Sequence, residues 1–329
     1  MNRQNIFATL CLGGKSHLWK HKNIIIILIG VCNWLYAQQD PQYNMYLFNQ
    51  YIINPAYGGT REATAITTSL RSQWASFPGA PKTGYLSVHS PIKKYRLGYG
   101  IAAMNDRIGA RNTAAAYASV SYILPLSSRW KLSFGMRAGA VNYQFNLDKT
   151  AYKDADDNSF IQLNNFQKTV LDMDGGLYLY SRSFYLGVSA THLNQARLVN
   201  SSYSITGGTA TIMYNLKAHG FFIIGKSFFI NDNFLLNINY MQQSVGSIWK
   251  GDLSLNSLIK NRVWLGLFLR GGYGGGALIQ VIVTKQLRIG YSYDSGGGKS
   301  APLGNAHEIM IGWDIRSKNN TAVINPRFL

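Results

Sequence analysis

Cysteine, charge and long apolar runs are all scarce in this 329-residue chain, and each shortage removes a class of protein. The two cysteines, Cys11 and Cys32, both lie in the first 37 residues, so the chain beyond residue 37 has no disulfide, thiol nucleophile or cysteine metal site. Charged residues make up 14%, and no apolar run reaches the roughly 18 residues that a spanning helix needs. That argues against a helical membrane protein. Acids are scarcer than bases, 14 against 32, for a formal net charge of +18. The basic residues are dispersed, with no Lys/Arg stripe and no nucleic-acid motif, and fit a solvated lumen and rims facing anionic headgroups.

What the chain has instead is alternation. From Glu62 to Ile315, short segments alternate apolar with small or polar residues, which is the pattern of a membrane β-barrel. In Trp130-Lys131-Leu132-Ser133-Phe134-Gly135-Met136-Arg137-Ala138 the even positions suit lipid and the odd ones a lumen. Fourteen strands are expected near 62–73, 82–90, 96–105, 111–123, 129–143, 169–181, 183–192, 217–229, 233–242, 248–258, 261–271, 275–284, 286–295 and 306–315. The fold class is all-β, a transmembrane antiparallel up-and-down barrel. An open edge in lipid would leave backbone groups unpaired, so the meander must close. Alternate connections are short (91–95, 124–128, 182, 230–232, 259–260 and 285), and the opposite set holds the long ones, 144–168, 193–216 and 296–305. This asymmetry is that of outer-membrane barrels, and an even count puts both termini in the periplasm.

Leu171, Met173, Leu177 and Leu179 alternate with Asp172, Asp174, Gly176 and Tyr178, and Ile309, Ile311, Trp313 and Ile315 with Met310, Gly312 and Asp314. Trp74, Trp130, Trp249 and Trp313 suit interfacial girdles. The lumen-facing positions are rich in glycine: Gly98, Gly100, Gly135, Gly139, Gly187, Gly266, Gly290 and Gly312. Small inward residues leave space, to be filled by the segment before the first strand, by an infolded loop or by water.

Residues 1–37 read as a signal peptide with an extended basic n-region, an apolar stretch from Asn23 and a cut after Ala37. Its loss takes four basic residues and no acid, which lowers the charge from +18 to +14. The other divisions are 38–61, a periplasmic N-terminal segment or plug; 62–315, the barrel; and 316–329, a periplasmic tail. Asn54-Pro55-Ala56-Tyr57-Gly58-Gly59 combines a φ-fixing proline with a glycine pair, so it is expected to be an ordered lead into the first strand or part of a lumen plug.

Other candidate chemistry is weak. Gly298-Lys299-Ser300 ends like a phosphate loop, but Tyr293 stands where its first glycine belongs. Asp154-Ala155-Asp156-Asp157-Asn158 begins like a calcium loop, but Ser159 and Asn165 replace its glycine and bidentate glutamate. In His89-Ser90 and His307-Glu308 the neighbours point to opposite faces of a strand and make no dyad. No catalytic, cofactor or metal residue is assigned, and the chain reads as a non-enzyme.

Gln39-Asp40-Pro41-Gln42-Tyr43, Tyr46-Leu47-Phe48-Asn49-Gln50 and Ile53-Asn54-Pro55-Ala56-Tyr57-Gly58-Gly59 resemble the PorP/SprF family of the type IX secretion and gliding machinery of Bacteroidota. Arg71-Ser72-Gln73-Trp74, Gly79-Ala80-Pro81-Lys82-Thr83, Asn105-Asp106-Arg107-Ile108-Gly109, Gly290-Tyr291-Ser292-Tyr293-Asp294 and His307-Glu308-Ile309 extend the resemblance in order. Residues 144–216 carry little of it. The resemblance implies an outer-membrane barrel that anchors, or assists the export of, a secreted adhesin or other client. It also implies contact with other type IX components at the periplasmic face; the alternative is a passive porin or solute channel. The motif residues it singles out, as structural or partner contacts, are Asn54, Pro55, Ala56, Tyr57, Gly58, Trp74, Pro81, Asn105, Asp106, Gly109, Tyr293, Asp294, His307 and Glu308.

Overall fold

A computed structural model describes residues 40–146, 166–205, 208–272, 274–297 and 304–315. The signal-peptide reading, the tail after 315, the acidic turn at 154–158 and the tripeptide at 298–300 lie outside the described residues. The chain divides into Met1–Asp40 and Pro41–Leu329, and the barrel belongs to the second unit.

The strands are β1 (Thr64–Ser72), β2 (Lys82–Ile92), β3 (Leu97–Ile108), β4 (Arg111–Pro125), β5 (Lys131–Phe145), β6 (Phe166–Tyr180), β7 (Phe184–Thr191) and β8 (Arg197–Ile205). They continue with β9 (Gly208–Asn215), β10 (His219–Asn231), β11 (Phe234–Val245), β12 (Ile248–Ile259), β13 (Val263–Arg270), β14 (Gly274–Ile282), β15 (Leu287–Asp294) and β16 (Ala306–Ile315). All but β8 and β9 form one closed barrel in chain order, with β7 paired to β10 and β16 closing on β1. The barrel thus has fourteen strands, all pairings antiparallel, at positions close to those expected from alternation.

The structure departs from the sequence reading at 193–216. There the long connection, for which no strand was expected, holds β8 and β9, which pair as a separate two-stranded sheet. Leu198 and Leu216 at its base pack with Ala115, Val141 and Tyr143, so the root of the hairpin is fixed against β4 and β5.

Alternation places the apolar side chains outside. Leu70, Met136, Leu267 and Leu269 are each about two-thirds exposed, as part of a belt that runs through every sector of the barrel. So much exposed apolar surface is stable only against lipid. The opposite face carries Arg71, Arg137, Asp172, Asp174, Asp252, Arg270, Asp294, Glu308 and Asp314, all buried.

The ladder narrows sharply across β6, and the next seam, β7 with β10, pairs over eight positions. β5 and β6 pair over fifteen positions, whereas β6 and β7 pair over six, from Gly175↔Ala190 to Tyr180↔Tyr185. Past that point single bonds hold the contact, among them Leu193 N–H to Met173 O (2.8 Å), Asn194 Nδ2 to Leu171 O (2.7 Å) and His192 N–H to Asp174 Oδ1 (3.0 Å).

Candidate functional site

The space left by inward glycines is taken by the chain itself. Residues 42–61 carry three short 3-10 turns, Met45–Phe48, Gln50–Ile52 and Pro55–Tyr57, and Met45, Tyr46, Leu47, Phe48, Tyr51, Ala56 and Tyr57 are all buried. Phe48 meets Trp264 edge-on at 6.2 Å, and Tyr57 meets Tyr178 at 5.4 Å. Aromatic side chains buried this fully contribute about 1.5–3 kcal/mol each from removal of surface from water.

An irregular buried segment must find partners for its backbone groups, because it has no ladder to supply them. The wall provides them. Glu308 Oε2 accepts from Asn44 N–H (2.6 Å), Arg137 donates to Tyr51 O and Ile52 O (3.2 and 3.3 Å), Ser189 Oγ donates to Ile53 O (2.6 Å), and Ser121 Oγ to Gly58 O (2.7 Å). Gly59 N–H donates to His89 Nδ1 (3.2 Å). These partners come from β16, β5, β7, β4 and β2, so the segment is held from several sides.

Asn54 shows why its motif is local as well as tertiary. Its Oδ1 accepts from Ala56 N–H at 2.9 Å and caps the turn that Pro55 starts, while Nδ2 donates to Leu177 O at 3.0 Å. Glycines in the wall let the segment approach closely, most strictly at Gly135, where the neighbouring atoms are backbone. A Cβ at Gly135 would lie 2.3 Å from Ala56 N, one at Gly176 2.2 Å from Asn54 Oδ1, and one at Gly290 2.3 Å from Met45 Cε. Gly59 adds a backbone requirement: its φ is +75, and a Cβ there would lie 2.7 Å from Gly98 Cα.

Two charge networks fix the ends of the segment. At the rim with the long connections, Arg270 pairs with Asp252 (2.8 Å) and Asp294 (3.4 Å), and donates to Gln42 Oε1 and Tyr43 O. Arg71 bridges Asp294 and Glu308, each at 3.6 Å. At the short-turn rim, Asp314 receives Arg61 at 3.0 Å and Arg288 at 3.1 Å. Burial alone would lower the Arg61 pKa, but Asp314 and Tyr57 raise it above its ordinary value.

The segment therefore runs along the lumen from one rim to the other. Strand parity puts Thr64 and Ile315 at the same rim, but it does not place Gln42, which lies beside Arg270 at the end of β13. A start of this segment on the same side as Ile315 does not follow from the even count, because a length of chain crosses the lumen before β1.

The motif residues separate into three groups. Asn54, Pro55, Ala56, Tyr57 and Gly58 are in the inner segment, and Asp294 and Glu308 meet it through the Arg71 and Arg270 network. Trp74, Pro81, Asn105, Asp106 and Gly109 belong to the rim. Trp74 has φ +54 beyond β1, Gln73 N–H donates to Pro81 O (2.9 Å), and Gly109 N–H donates to Gly79 O (2.8 Å). Asp106 accepts from Thr83 and Arg111, and Asn105 donates to Asn112 on the outer face. Tyr293 and His307 form an outward pair, ring centres 5.4 Å apart, and His307 Nδ1 shares a 2.7 Å hydrogen bond with Tyr291. Sequence reasoning missed Arg137, Arg270, Asp252 and the Arg61–Asp314 pair as ties to the segment. Their inward phase was readable, but their partners lie far away in the chain.

No curated protein matches the sequence. Solved structures with a similar backbone include the Acinetobacter baumannii outer membrane protein Omp33 (7% identity, 77% of this chain and 98% of that one, TM-score 0.46). A Pseudomonas aeruginosa FadL homologue (10%, 84% and 95%, TM-score 0.48) and the Pseudomonas putida toluene transporter TodX (9%, 84% and 95%, TM-score 0.45) are also similar. The profile of the family described as "Type IX secretion system membrane protein PorP/SprF" matches residues 35–313, which takes in the inner segment and nearly the whole barrel. The chain belongs to the PorP/SprF family of type IX secretion system membrane proteins.

Proposed function

We propose that this outer-membrane barrel anchors, or assists the export of, a secreted surface protein such as an adhesin, which it holds at the long-connection rim, and that it does not serve as a solute channel. The observation that carries this reading is the inner segment, bonded to the wall along the lumen by Glu308, Arg137, Ser189, Ser121 and Arg270. A barrel built to pass solutes needs free cross-section, and here Gly98 and Gly135 lie against the backbone of the inner segment at Gly58 and Ala56, while Gly100, Gly176 and Gly290 lie against its side chains. The β8–β9 hairpin rises from the same rim as the long connections and offers a surface there for a partner. In this orientation the short turns face the periplasm, where other type IX components have access to them. The role is one of holding and has no catalytic step.

Affinity purification of the tagged protein from its native outer membrane, followed by mass spectrometry, tests this. A large secreted protein or other type IX components should remain bound after washing. Recovery of the barrel alone would count against the reading and favour the porin alternative.

A further inference from the structure

Asp172, Asp174 and His192 meet where the β6–β7 ladder ends. We propose that they form a binding site for a divalent transition-metal cation of the zinc type, which closes this seam and fixes the root of the β8–β9 hairpin.

All three side chains are buried, at 0%, 1% and 6% exposure, and each offers a ligand atom within 4.8 Å of the others. Two carboxylate oxygens and one imidazole nitrogen are a donor set that suits zinc, with water filling the remaining position. The carboxylate oxygens are unequally satisfied. Asp172 Oδ2 accepts from Tyr117 OH (2.8 Å) and shares a 2.8 Å hydrogen bond with His192 Nδ1, but Asp172 Oδ1 is buried without a hydrogen-bond partner among the described residues. A proton on His192 Nδ1 answers Oδ2 and leaves Oδ1 as it is. Leaving a buried carboxylate oxygen unsatisfied is costly, and a cation between the groups removes that cost.

The surroundings are those of an oriented ligand set. Arg137 Nε holds Asp174 Oδ2 at 2.6 Å, and His192 N–H donates to Asp174 Oδ1 at 3.0 Å, which leaves that oxygen a further lone pair. His192 has φ +55, an uncommon backbone for a residue other than glycine, so its ring is held in place by a strained turn. The location gives the ion a task. β6 and β7 share only six paired positions, and His192 leads directly into the segment that starts β8 at Arg197.

The test uses the full chain, purified in detergent and stripped with chelator, with zinc chloride titrated by calorimetry. One zinc per chain is expected to bind, Asp172→Asn and His192→Ala should each weaken it at least tenfold, and His307→Ala on the outer face should leave it unchanged. Amide exchange across the β6–β7 seam should slow when zinc is added. Absence of saturable binding, or binding untouched by both substitutions, overturns the proposal. Should either variant fail to fold, zinc-edge absorption of the wild type decides: coordination by oxygen with an imidazole supports the site, and coordination without imidazole refutes it.

Discussion

The two faces of β16 live under opposite rules. Outside, Ile309, Ile311, Trp313 and Ile315 are half-exposed to the surroundings; inside, Glu308, Met310 and Asp314 are buried, and both acids are tied to arginines. The outer face needs only to be apolar, since lipid adapts to its shape. The inner face must match an irregular segment atom by atom, so it combines charge, glycine and aromatic rings in a fixed arrangement. One residue of offset along a strand separates a tolerant position from an intolerant one.

The inner charges carry the largest expected effect. Arg270→Ala should destabilise by about 3–5 kcal/mol, because it leaves Asp252 and Asp294 buried with less compensation. Urea unfolding in detergent, followed by the loss of heat-modifiable migration, measures it. Gly135→Val should cost about 1–3 kcal/mol by forcing Ala56 away from β5, and should make the inner segment sensitive to protease, while Phe134→Leu one residue away remains resistant. Asn54→Ala removes a cap and a buried donor and should cost about 1–2 kcal/mol, read by the same unfolding assay. Smallest of all, Ile311→Val on the lipid face should change stability by less than about 1 kcal/mol. A result in which Ile311→Val outweighs Asn54→Ala would erase the distinction between the faces.

The barrel was legible in the sequence because lipid imposes a regular demand. Leu171, Met173, Leu177 and Leu179 repeat every second residue, and a strand with that row can sit only one way in a wall. The hairpin was not legible for the same reason. Arg197–Ile205 and Gly208–Asn215 carry no sustained apolar row, since they do not cross lipid, and their pairing had no comparable signal. The inward glycines announced space without saying what filled it. Gly135 and Ala56 are distant in sequence, and only the closed barrel brings them together. The family motifs had marked Asn54–Gly58, Asp294 and Glu308, but not the arginines between them. Arg71 stood in a motif without an assigned role, and Arg270 and Arg137 stood in none; each acquires its role from a carboxylate on the adjacent strand, Glu308, Asp252 and Asp174 respectively.

Residues 42–61 fill the lumen. Conductance of the purified barrel in planar bilayers tests it most directly, by comparison with a variant lacking residues 42–60. The intact protein should pass little or no current, and the deletion should open discrete, stable channels. A wild-type barrel that conducts as freely as the deletion would contradict the account.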